Sequence, residues 1–255
     1  TRVELDITDY WRLRSEFERI APTVVVNCAA YAHVDGCESN RDLAGRVNTD
    51  GARYVAKAAA QVGARVIQIS TDLVFDGAVR VPYREDDEPR PLSHYAVTKL
   101  QGERAVMQEN PDHTILRSSW FFGPWPADRY PESFLSALRE GKRFRMVADR
   151  LGSPTYLRDL ARAIVRVVVT PYRGILHFAN AGDPTSRFHL LAALAVRLGV
   201  DHSGMSPVRD QDWDADVARR PAFSALDNSR FTQVTGHAPR TWMESLDEYV
   251  AERGA

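Results

Sequence analysis

Ala64-Arg-Val-Ile-Gln-Ile-Ser70, closed by Thr71-Asp72 and followed across one loop by His94-Tyr-Ala-Val-Thr-Lys99, is the stretch that decides the architecture. The first piece is a short β-branched run bounded by Gly63 and a polar Ser-Thr-Asp, which reads as a buried strand over residues 64–70. The second opens an amphipathic helix expected over residues 94–108. Residues four apart share a helix face, so the Tyr95 hydroxyl and the Lys99 ammonium are expected in one cleft. A cation beside a phenol stabilises its anion, and Lys99 should therefore lower the Tyr95 pKa from its usual ~10. Thr71 ends its strand at the carboxyl edge, where open α/β sheets hold ligands. The spacing (95 − 71 = 24 residues) leaves room for one loop, so Thr71 can reach the same oxygen as Tyr95. Three such groups point to proton transfer at a carbonyl oxygen. The Tyr-x-x-x-Lys pair alone is weak in a chain with nine tyrosines. The plain alternatives are a ring packed under a loop and a threonine turned onto its own backbone.

Outward from this stretch, short β-branched runs alternate with longer helical ones. That pattern predicts a doubly wound parallel sheet covered on both faces, an α/β fold. Strands are expected at residues 3–5, 23–27, 64–70, His113–Ser118 and 174–180. Helices are expected at Tyr10–Ile20 with Asp9 as cap, then at residues 40–62, 94–108, 133–140, 157–170 and 187–198, and at Trp242–Arg253. From Gly123 onward, Pro124-Trp-Pro126 and Tyr130-Pro131 read as an excursion out of the sheet.

Composition excludes several classes. A net charge of −1 gives no field for nucleic acid or an anionic membrane, and 44% apolar content is that of an ordinary globular chain. No apolar run approaches bilayer length, and no secretory leader is visible, so a cytoplasmic location is expected. Cys28 and Cys37 match no redox or zinc spacing. The former is expected packed at a strand end, the latter on a loop or early helix. The seven histidines form no metal motif, so no metal is expected.

The segments Ile67–Gly77, Tyr83-Arg-Glu-Asp-Asp87 and Pro91–Glu103 resemble the extended short-chain dehydrogenase/reductases, and within them the dTDP-4-dehydrorhamnose reductase family. The likeness continues through Leu5-Asp-Ile-Thr-Asp9, Val26-Asn-Cys-Ala-Ala-Tyr31 with Val34-Asp35, and Arg117-Ser-Ser-Trp120. Gly152-Ser-Pro-Thr155, His177-Phe-Ala-Asn-Ala-Gly182 and Arg220-Pro221 extend it nearly end to end.

The resemblance implies reduction of a nucleotide-activated 4-keto-6-deoxyhexose by NADPH or NADH, with Thr71, Tyr95 and Lys99 catalytic. It implies cofactor contacts from Asp6, Ile7, Ala29, Ala30, Tyr31, Asn48, Tyr95 and Lys99. It places the substrate against Val34, Thr71, Asp72, Tyr95 and Trp120. Lys99 would hold the nicotinamide ribose, Asn48 the active-site backbone or a relay water, and Trp120 an apolar wall. Residues 1–122 and 157–181 would form the dinucleotide domain, and residues 123–156 and 182–255 a smaller, discontinuous substrate domain.

The family's G-x-x-G-x-x-G turn, which cradles a pyrophosphate, is not found among the fifteen glycines. A chain without its first strand–helix unit, with an apolar flank left unpaired beside the sheet, is therefore expected. Leu73 stands where the family often has Tyr, and Arg150 where it often has Gln. Arg150 could meet a substrate phosphate or Asp149, whereas Arg219-Arg220 reads as a surface charge run that could also touch a pyrophosphate. His94 reads as a bystander. The resemblance leaves room for a homodimer. It also leaves two other readings: a reductase of another keto sugar, and a non-catalytic regulatory subunit of methionine adenosyltransferase.

Overall fold

The computed structural model describes residues 5–124 and 130–253. Its centre is a four-stranded parallel sheet of β1 (Val24–Asn27), β2 (Arg65–Thr71), β3 (His113–Ser118) and β7 (Gly174–His177), in that spatial order. Val26 pairs with Ile67, Ile69 with Leu116, and Leu116 with Leu176. Every residue of β2 is buried, because a central parallel strand is covered on both faces.

Adjacent strand residues point to opposite faces, and two cores follow from that alternation. On one face Val66 and Ile115 pack with Leu13 and Phe17 of α1 (Tyr10–Ile20), with Val55, Ala56 and Ala59 of α4 (Ala52–Gln61), and with Val106 of α5 (His94–Glu109). On the other, Ile67, Ile69 and Leu116 meet Leu160 and Val167 of α7 (Leu157–Val169) and Phe231 of α9 (Ser229–Thr235). The expected α/β architecture is present, and Asp9 caps α1 by accepting from the Arg12 amide at 3.1 Å. Of the strand expected at residues 3–5, residues 3 and 4 lie outside the described residues, and the strand expected to reach Asn180 ends at His177.

A third core lies apart from the sheet. It joins β4 (Phe121–Phe122), α6 (Glu132–Arg139), β5 (Phe144–Val147), β6 (Thr155–Tyr156), α8 (Arg187–Arg197), β8 (Met205–Val208) and α10 (Trp242–Arg253) through Phe122, Leu135, Tyr156, Leu191, Met205 and Tyr249. The β4–β6 and β5–β8 pairs carry no expectation from the sequence, their strands being only two and four residues long.

The helix expected over residues 40–62 runs without interruption from Arg41 to Gln61 but widens midway. A short helix, α2 (Val34–Ser39), comes first, then α3 (Arg41–Ala44), and a π-helical turn, Gly45–Gly51, leads into α4. The physical reason lies across the interface. Gly102 of α5 sits so close that a Cβ there would come within 2.2 Å of the Asn48 carbonyl oxygen. A widened turn brings the Asn48 side chain inward at the point of closest helix contact, and π-turns often mark such functional positions.

Candidate active site

Tyr95 opens α5 behind the cap Ser93, whose hydroxyl accepts from the Ala96 amide. The half-buried phenol faces the carboxyl end of β2. A hydrogen bond from Thr71 and the charge of Asp72 both act on its pKa. Three of the groups picked from the sequence, Thr71, Asp72 and Tyr95, therefore meet at the carboxyl end of β2. Thr71 is doubly engaged there: it accepts from the Leu73 amide at 3.1 Å and donates to Asp72 Oδ1 at 3.1 Å. The turn reading of Thr71 therefore holds.

The electrostatics differ from the sequence expectation. Burial pushes the Tyr95 pKa up from its usual value and the Asp72 charge pushes it further, while the Thr71 hydrogen bond pulls it back. Lys99 does not lower it. Its ammonium turns one helical turn away and donates to the Ile69 carbonyl at 2.7 Å. Burial brings the Lys99 pKa down to about 8, against the pull of the Glu103 and Cys28 charges. Asp72 is raised to about 6 by burial, and its Oδ2 has no hydrogen-bond partner among the described residues.

A groove of about 680 Å³ runs along the outer edge of β1. No strand pairs with that edge among the described residues. Asp6, Ile7, Val25, Val26, Ala29, Ala30 and Tyr31 line the groove, so five of the proposed cofactor contacts meet on one surface. Cys28 also lines it and is exposed, not packed as expected. Burial raises the Cys28 pKa and the Lys99 charge lowers it, so the ammonium is within electrostatic reach of the groove. Ala29 and Ala30 are small enough for a flat ligand to approach the chain closely. The loop carrying them is held from beneath: the Ala29 amide donates to Asn27 Oδ1 at 3.1 Å, and Asn27 donates to Gln68 at 2.8 Å.

Asn48 does not line the groove. It accepts from the Tyr31 amide at 2.8 Å and donates to the Tyr31 carbonyl at 3.2 Å and the Thr98 hydroxyl at 3.1 Å. This ties the Tyr31 backbone to the catalytic helix. Val34, half-buried, starts α2 just beyond. Trp120 follows β3 with φ +46°, a left-handed conformation costly for a bulky residue and frequent at binding sites. A Cβ on Gly152 would lie 2.6 Å from the Trp120 ring, so the indole is seated on a glycine.

Arg150 pairs with neither a free surface nor Asp149: it is bonded to Asp210 and Asp216. Arg220 is bonded to Asp35 at 2.9 Å and Asp216 at 3.1 Å, and so is not a loose surface charge. The His94 amide donates to Glu38 at 2.7 Å and its ring contacts the Arg41 carbonyl, a structural role. Arg187, which the sequence reading took only as the start of a helix, has its guanidinium 5.5 Å from both the Trp120 and the Tyr130 ring centroids. The sequence did carry a signal for it: a cation in a first turn that contains no acidic residue.

Among the described residues, no group of three His, Cys, Asp or Glu could hold a metal ion, and no helix is long and apolar enough to cross a membrane. Residues 1–254 match the family model described as the RmlD substrate binding domain. A spore coat polysaccharide biosynthesis protein, SpsK of Bacillus subtilis, is 35% identical over 255 residues, covering 100% of this chain and 88% of that protein. The dTDP-4-dehydrorhamnose reductase of Mycobacterium tuberculosis is 38% identical over 259 residues, covering 98% and 83%. Among solved structures, the Bacillus anthracis dTDP-4-dehydrorhamnose reductase in complex with NADP superposes with a TM-score of 0.93 at 31% identity, covering 98% and 88%. A Clostridium acetobutylicum dTDP-4-dehydrorhamnose reductase gives 0.92 at 34%, covering 100% and 89%. With Tyr95, Lys99 and Thr71 set around one end of a doubly wound sheet, this chain belongs to the RmlD substrate binding domain family.

Proposed function

We propose that the chain is an NAD(P)H-dependent oxidoreductase that reduces the C4 ketone of a nucleotide-activated 4-keto-6-deoxyhexose, dTDP-4-dehydro-β-L-rhamnose. Homologous reductases of that name, spanning nearly the whole chain, support the activity. The observation that carries the site is the meeting of Tyr95, Thr71 and Asp72 at the carboxyl end of β2, with Lys99 one turn behind.

The groove along β1 brings Asp6, Ile7, Ala29, Ala30 and Tyr31 onto one surface, and Cys28 on it feels the Lys99 charge, which supports a dinucleotide site there. Asp6 and Ile7 would meet the adenine side, and Tyr31 and Lys99 the nicotinamide side. When bound, the reduced nicotinamide supplies the hydride. Everything else falls to the protein. Tyr95, neutral because burial and Asp72 raise its pKa, is in the protonation state needed to donate to the developing alkoxide. Thr71 supplies a second hydrogen bond to that oxygen, so charge is met where it develops. Asn48 keeps Tyr31 and α5 in register, Val34 borders the sugar, and Trp120 walls the hexose.

In this reading residues 1–122 and 157–181 form the dinucleotide-binding part, and residues 123–156 and 182–255 the substrate part. The third core, made of Phe122 and residues from 135 to 249, supports that division. A cytoplasmic location and assembly as a homodimer belong to the same reading; sedimentation at micromolar concentration tests the assembly.

A related keto-sugar substrate is the second reading. Leu73 replaces a hydroxyl beside Thr71, and a Streptomyces niveus protein, 34% identical, is a dTDP-4-keto-6-deoxy-D-glucose reductase. Incubating the chain with NADPH and each sugar, and following loss of nicotinamide absorbance, separates the two. No oxidation with either sugar overturns both.

A further inference from the structure

Of three arginines in the second half of the chain, two are already neutralised. Arg150 is held by Asp210 and Asp216, and Arg220 by Asp35 and Asp216. Arg187 has no carboxylate partner among the described residues. The residue is exposed, and its guanidinium lies 5.5 Å from the centroids of two aromatic rings, Trp120 and Tyr130. Stacking of this kind covers the flat faces of the fork and leaves its N–H edges free for a planar or bidentate acceptor.

Its place in the chain is costly. Arg187 is the first residue of α8, an eleven-residue helix capped by Ser186, with no acidic residue in its first turn. A cation there adds to the positive end of the helix dipole. Burial lowers the guanidinium pKa; the Tyr130 and Asp72 charges oppose this, while Arg220 adds to it. The Asp72 charge acts on Arg187, so the two lie within electrostatic reach of each other. A cation at a helix N-terminus, stacked on two rings and without a carboxylate partner among the described residues, is a site short of one anion.

We propose that Arg187, stacked on Trp120 and Tyr130, is the residue that takes the diphosphate of the nucleotide-sugar substrate and so sets the chain's preference for a nucleoside diphosphate over a neutral nucleoside. This rests on the nucleotide-sugar reading above and names the group that recognises its anionic part.

The test is calorimetric titration of wild type, R187Q and R187M with dTDP, thymidine and NADPH. Wild type is expected to prefer dTDP over thymidine by about tenfold or more, the scale of a charge-assisted hydrogen-bond pair. Both variants, which keep the stem and its ring contacts, should lose most of that preference while binding NADPH as before. R187M serves if R187Q fails to fold. An undiminished dTDP preference in a folded variant overturns the assignment and leaves the nucleotide-sugar reading intact. A parallel loss of NADPH affinity would place Arg187 on the cofactor and also overturn it. Wild type that binds neither dTDP nor thymidine sinks the nucleotide-sugar reading itself, and this proposal with it.

Discussion

Two regions of helix α5, eight residues and thus about 12 Å apart, carry polar groups of the same kinds into opposite situations. At one end Tyr95 faces Asp72, a buried carboxylate with one oxygen unpartnered. At the other, Glu103 is buried and fully occupied. It accepts from Ser70 at 2.5 Å and from Arg117 through two parallel hydrogen bonds of 2.9 and 2.7 Å. Arg117 in turn lies 5.3 Å from the Phe75 ring. A buried bidentate ion pair fastens helix to sheet even though Arg117 Nη1 has no partner among the described residues, whereas a buried carboxylate with no ion-pair partner is held ready for something that arrives. Lys99 sits between the two, bonded to the Ile69 carbonyl and feeling the Glu103 charge. The fastened end therefore positions the reactive end.

If that contrast is right, mutations at the two ends should fail in different ways. Tyr95→Phe should lower kcat by about 10²–10⁴-fold, the usual worth of a general acid, with little change in Tm or in substrate binding. Steady-state kinetics beside a thermal melt decides it; a Tyr95→Phe enzyme above about a hundredth of wild-type kcat would break the catalytic half of the contrast. Glu103→Gln should do the reverse. Removing one member of a buried ion pair leaves an uncompensated charge and costs about 3–5 kcal/mol, visible as a lower urea midpoint. The paired change Glu103→Met with Arg117→Leu should recover much of the loss, because it removes both charges. A single variant as stable as wild type would show that the pair fastens nothing.

The hinge between the two ends is Asn48, whose side chain satisfies both the amide and the carbonyl of Tyr31. Asn48→Ala strands those groups and should cost about 2 kcal/mol. Hydrogen exchange should show the Tyr31 amide opening faster while amides of β2 stay protected. Uniform loss of protection would mean that Asn48 holds the whole fold and not this corner.

How much of this could be read from residues alone follows from the range of each interaction. The strands and helices flanking Tyr95 were readable, since periodicity and caps such as Asp9 and Ser93 are local. Tyr95, Thr71 and Lys99 were readable as one constellation because one strand end and one helix turn bring them together. The direction of the Tyr95 pKa was not. It depends on where Lys99 points and on Asp72 being dry, and both are set by packing across the sheet. The π-turn at Asn48 was hidden for the same reason: it answers to Gly102, about fifty residues on, with Asn48 the only local hint. Asp210 and Asp216, which hold Arg150, lie in a segment where Asp and Arg alternate, and Asp35, the other partner of Arg220, lies far back in α2, so no spacing rule could choose among them.

The smallest effect tests the unsatisfied end most directly. Asp72 is raised from 3.8 to about 6, chiefly by burial. Between about pH 4 and pH 6 the native state therefore holds a proton that the unfolded chain has already lost. Stability consequently falls as pH rises through that window, and above it the full penalty remains. Two pKa units correspond to roughly 3 kcal/mol. Asp72→Asn abolishes the penalty but places an amide where Oδ2 found no partner, which takes back about 1–2 kcal/mol. The net expectation is a variant about 1 kcal/mol more stable than wild type at pH 7.5, with the advantage gone below pH 4. Denaturant melts at several pH values measure this difference. A constant difference across pH would mean that Asp72 finds a partner in solution, and the contrast between the two ends of α5 would then lose its reactive pole.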